Sequence, residues 1–218
     1  MPKPITVVLE TGRTRTFASA VDWPGWCRAG RTEEAALEAL AAYAARYALV
    51  TDAAGVRFPG TAGDAFTVAE RLPGNASTDF GAPGAIADAD RTPTTGAQAN
   101  RLTVIVRAAW TVFDRIAADT PPELRKGPRG GGRDRDKMID HVIGAEVMYA
   151  RKIGVRHRQP AITDRTAIEA LRDDVSAVLG QPSDGSPTTE KGWPVRYAAR
   201  RVAWHVLDHG WEMQDRTS

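Results

Sequence analysis

Residues 200–213 read RRVAWHVLDHGWEM, and the reading of the whole chain turns on this stretch. Val202, Val206 and Met213 recur at helical spacing, and Pro194 stands just upstream, where a missing N–H costs a helix nothing. The stretch is therefore expected to be an amphipathic helix. His205 and His209 are four residues apart, which puts both imidazoles on one face, a turn from each other. They are two of only four histidines in the 218 residues.

Upstream, the 3.6-residue period begins at Thr95 and persists. Thr95 and Gln98 form a capping box, followed by the apolar stripe Leu102, Ile105, Ala109, Val112, Phe113 and Ile116. A second helix is expected over about 134–153, with Met138, Val142, Ala145, Met148 and Tyr149 on its stripe. A third is expected over 163–179, with Ile168, Leu171, Val175 and Val178. With the helix after Pro194 they predict a four-helix bundle over 95–218.

The first 72 residues read differently. ITVVLE (5–10) and RTFASAV (15–21) are β-rich runs joined by a turn at Gly12. A helix should start at Thr32, which caps it, with Glu33 and Glu34 in its first turn. AFTVAERL (65–72) alternates like a strand. The expected fold is thus α+β: a small strand-strand-helix-strand domain at 1–72, a Gly/Pro-rich linker at 73–94, and the bundle. The linker has little to bury, so the bundle is expected to fold alone.

His141 falls on the apolar stripe of the second helix, so three histidines point at the bundle interior. Each buried neutral imidazole carries a donor and an acceptor, and each one left unpaired costs roughly 1–3 kcal/mol. A divalent metal held by His141, His205 and His209 would satisfy one nitrogen of each and keep a coordination position open, as catalytic sites do. Asp140, Glu146 and Asp208 are close enough in sequence to support the imidazoles or add a ligand. Imidazoles suit zinc, nickel, copper and iron.

DHVIGAE (140–146) and the 200–213 stretch together resemble the DinB/YfiT-like metal-binding four-helix family, over about residues 95–215. The resemblance implies that His141, His205 and His209 bind a divalent metal, zinc or nickel first. It also implies a low-molecular-weight thiol such as mycothiol as co-substrate, and a thiol S-transferase or isomerase acting on an electrophilic small molecule. DWPGWCRAGRTEEAALEAL (22–40) resembles HicB-like domains more loosely, with Trp26 inserted before Cys27, and implies an accessory domain. The alternative is a non-enzymatic metal-binding or interaction protein. A solvent-open pocket reaching the nitrogens of all three histidines would favour the enzyme, and an occluded site would favour the alternative.

ELRKGPRGGGRDRDK (123–137) carries six basic residues and four glycines directly before the second helix. It lacks P-loop spacing, but Arg129 and Arg133 flank its glycine run and could fork an anionic substrate. Cys27 has no histidine near in sequence and reads as a buried small hydrophobe. A balance of 29 basic and 27 acidic residues gives no case for nucleic acid. No membrane span is expected, the single cysteine fits a cytoplasmic location, and a homodimer is compatible with the pattern.

Overall fold

The computed structural model describes residues 4–59, 66–127 and 132–217. It is mixed α+β: a four-stranded sheet, four long helices and shorter helical segments. Strands β1 (Ile5–Thr11) and β2 (Thr16–Ala20) form the hairpin that Gly12 announced, and β3 (Cys27–Gly30) adds antiparallel to β2. Helices α1 (Glu33–Ala42) and α2 (Ala44–Ala53) follow. The single expected helix breaks at Tyr43, which caps α1 in a non-helical conformation. Strand β4 (Phe66–Pro73) then returns parallel to β1, giving the order β3-β2-β1-β4.

Every residue of β2 is buried, so both faces of the sheet must be covered. On one face Ile5, Val7, Leu9, Ala18 and Ala20 meet Leu40, Tyr47 and Trp26. Trp26 stacks on Tyr47 at 5.5 Å and donates its indole N–H to the Leu40 carbonyl at 2.9 Å. Alternation turns Val8, Glu10, Phe17 and Cys27 to the other face. Val8 there meets Ala87, and Phe17 and Cys27 meet Trp204.

The segment 73–94, read from sequence as a linker, packs against that second face through Ala82 and Ala87. The segment folds into α3 (Ala76–Phe80) and a 3₁₀ turn (Asp88–Arg91). Beyond small apolar contacts from Ala82 and Ala87 its contribution is polar, which is why composition hid it. The Glu10 carboxylate, 4 % exposed, accepts from the Thr78 hydroxyl and from the N–H groups of Gly84 at 2.9 Å and Ala85 at 3.0 Å. Asp90, 1 % exposed, takes the Arg200 guanidinium on two bonds, 2.8 and 2.5 Å.

The four long helices are α4 (Gly96–Asp119), α5 (Arg135–Lys152), α6 (Arg165–Leu179) and α7 (Val195–Thr217). Thr95 and Gln98 form the expected box at the start of α4. Helix α7 packs on α4 and α5, and α6 on both of those and on α7. Met148, placed on the core stripe from sequence, is instead 57 % exposed: α5 is rolled so that Met138, Val142 and Ala145 carry the stripe. One hydrophobic core runs from Ile5 through Tyr47, Phe113 and Leu171 to Met213, so it crosses the expected domain boundary. Gly25, with φ +91°, marks a close approach across it; a Cβ there would lie 2.6 Å from Leu207 of α7. No helix among the described residues is long and apolar enough to cross a membrane.

Candidate metal centre

Helix α7 is uninterrupted from Val195 to Thr217, so His205 and His209 keep their one-turn spacing and their rings stand 4.6 Å apart. Helix α5 packs alongside and brings in His141, at 5.1 Å from His205 and 4.9 Å from His209. One ring nitrogen from each lies within 4.8 Å of the others, close enough for the three to hold one metal ion. The expected trio is thus gathered at one point. His157, set aside from sequence, lies away from it and bonds Asp174 at 2.7 Å.

The surroundings favour the neutral, ligating form of the imidazoles. Burial, then the charges of His209 and Arg133, push His141 down to about 4. Burial, then His209 and His141, hold His205 well below its usual value. His205 is 6 % exposed, and its Nδ1 is buried with no hydrogen-bond partner. A buried nitrogen left this way costs about 1–3 kcal/mol unless something occupies it. This orphan is what a cation would satisfy, and the all-imidazole donor set fits a borderline transition metal.

Sequence reasoning missed the residue that orients the site. Glu212 Oε2 stands 3.0 Å from His209 Nδ1, which leaves Nε2 as the nitrogen free for a ligand. The bond to His209 is the main cause holding the Glu212 carboxyl below its ordinary value. Its other oxygen accepts from Arg216 Nη1 at 3.0 Å. Arg216 also donates to the carbonyls of Arg125 and Arg133, both at 2.8 Å. The signal was present: His209, Glu212 and Arg216 follow one another at i+3 and i+4 on α7.

The three acids named from sequence do other work. Glu146 lies buried against Arg172, whose Nη1 also reaches Asp114 at 2.9 Å. Asp208 pairs with Arg28 at 2.8 Å, and Asp140 accepts from Gln159 at 2.8 Å. None of them joins the cluster of ring nitrogens. Arg133 is exposed, and its charge acts on both His141 and His205. Arg129 lies outside the described residues.

Tyr149 meets His205 edge-on at 5.5 Å and forms an aromatic wall with Trp193. Trp204 and Trp211 are packing residues, against Phe17 and Tyr43. Cys27 is buried, takes a bond from the Ser19 hydroxyl at 3.0 Å, and is pushed up to about 12 by burial. A surface cavity of about 320 Å³ between α5 and Gln159 reaches His141, but neither His205, which is buried, nor His209 lines it. Comparison with family models, with curated proteins and with solved structures finds no match to this chain.

Proposed function

We propose that His141, His205 and His209 bind one divalent metal, zinc or nickel, and that the protein is a metal-dependent enzyme of the DinB-like type. In this reading α4 to α7 are the family's four-helix bundle, and the sheet is a HicB-like accessory layer. The reaction is a thiol-dependent S-transfer or isomerisation, with a mycothiol-like thiol meeting an electrophilic small molecule. The observation that carries the proposal is the convergence of three imidazole nitrogens within 4.8 Å, one of the rings having a buried nitrogen without a partner.

A bound divalent ion would supply Lewis acidity, lowering the pKa of a thiol or water and favouring its anion at neutral pH. The chain's own residues do the rest. His141 and His205 are held neutral by burial, so no proton need be displaced near pH 7. Glu212 fixes the orientation of His209 through Nδ1. The exposed Arg133 guanidinium, whose charge acts on His141 and His205, would attract an anionic thiol or substrate. The cavity opens at His141, the one histidine of the three that lines it, and a substrate would enter there.

Elemental analysis of the purified full chain tests the reading. About one divalent metal per chain is expected. His209→Ala should remove it, because two imidazoles bind far more weakly than three. A metal content near zero in the wild type, or unchanged in that variant, overturns the assignment. Metal present without any spectral response of the cobalt-substituted protein to added glutathione would leave a metal-binding protein that is not a thiol enzyme.

A further inference from the structure

A second cleft, of about 600 Å³, opens where the first turns of α4 and α7 meet the start of β1. It lies well away from the histidines. Arg196 and His205 are nine residues apart on α7, about 13 Å along the axis at 1.5 Å per residue. Arg57, Arg101 and Arg196 line it with Trp23 and Phe58, and Asp22 is the one acidic side chain among the described residues that line it.

The lining is more cationic than its internal bonds require. Arg101 donates to the Asp22 carbonyl at 2.6 Å and lies over the Trp23 ring at 4.3 Å, so it leaves the carboxylate uncommitted. Arg196 pairs with that carboxylate at 2.8 Å, yet its Nε is buried without a partner. Its side chain is only 11 % exposed. Arg57 is exposed and pairs with no acid among the described residues. Among the described residues, three guanidinium groups face one carboxylate, a surplus of two positive charges.

Position sharpens this. Arg196 and Arg101 sit in the first two turns of their helices, the ends where the macrodipole is positive and cations are disfavoured. A tie between the Asp22 turn and α7 accounts for one of the arginines. It does not account for Arg57 or for two helix N-termini meeting at one cavity. An anion accounts for both. The remaining wall is apolar and aromatic: Trp23 and Phe58 meet edge-to-face at 5.1 Å.

We propose that this cleft binds a small organic anion. Arg57 and Arg196 would take one phosphate or carboxylate, and Trp23 and Phe58 would take a flat apolar body. The cavity has the size of an ordinary small-molecule site. Binding there is independent of the metal centre.

Calorimetric titration of the full chain with 1-naphthyl phosphate, 1-naphthoate, 1-naphthol and inorganic phosphate tests it. At least one of the two naphthyl anions should bind at least about tenfold more tightly than naphthol or phosphate alone. Arg57→Ala removes an exposed side chain, so the fold should survive. Its affinity for that anion should fall by about tenfold at low salt, and by less at high salt. His209→Ala should bind the anion as the wild type does, which separates this site from the histidine cluster. No heat from either anion, equal binding of naphthol, or undiminished affinity in Arg57→Ala overturns the proposal.

Discussion

Replacing Asp90 by Ala should be among the most damaging single changes in the segment 73–94. The Asp90 carboxylate is 1 % exposed and the Arg200 guanidinium 8 %. Two bonds join them, and a third, 2.9 Å long, holds the Ala87 N–H and starts the 3₁₀ turn. Removing one partner of a buried pair strands the other charge, at about 3–5 kcal/mol. The lost turn bond contributes about 1 kcal/mol more. A loss of about 4–6 kcal/mol, or roughly 8–24 °C in Tm for a chain of this size, is expected. Urea denaturation followed by circular dichroism measures it, as a lower midpoint at unchanged slope. Adding Arg200→Met should restore most of the loss, because the stranded charge is gone. A loss under about 1 kcal/mol in Asp90→Ala, or no recovery in the double variant, would refute the view that this segment is a structural layer.

Glu212→Gln should weaken metal binding by about 10–100-fold with the fold intact, since it removes the carboxylate that orients His209; equal affinity in a metal competition assay would dismiss that role. The metal-free protein should lose stability in acid. The folded-state pKa values of His141 and His205 are depressed, so their contribution is full above the ordinary value of 6.5 and is lost as pH falls, for His141 through about 4. A urea midpoint that stays flat from pH 7.5 to pH 4 would contradict this. Cys27, buried and raised to about 12, should react with a thiol reagent only as fast as the chain unfolds, and immediate stoichiometric labelling of the native protein would show otherwise.

What could be read from the sequence was local. Thr32 and the Thr95–Gln98 box mark helix starts because a cap bonds three residues away. His205 and His209 were legible as a pair because one helix sets their spacing, and His141 because it shares a stripe with Met138 and Val142. The role of 73–94 was not legible, because its burial is achieved by Glu10 and Asp90 with partners 68 to 110 residues away. Gly, Ala and Pro around them look like solvent-facing chain. Glu146 misled for a related reason. It lies one residue beyond Ala145, and that step turns it from the histidines toward Arg172.

The grip of Arg216 on the carbonyls of Arg125 and Arg133 bears on how this protein could change. Both ends of the intervening stretch are fastened to the helix that carries His205 and His209. Lengthening such a stretch is cheap, about 0.6 kcal/mol for each doubling. Insertions between Arg125 and Gly132 can therefore accumulate while the anchoring carbonyls stay where they are, but Gly132 itself, with φ +120° and a Cβ position only 2.7 Å from Arg216, has to stay glycine. Arg216 is in this sense a hinge pin for variation. It separates the part of the molecule free to drift toward new chemical appetites from the part that has to stay constant.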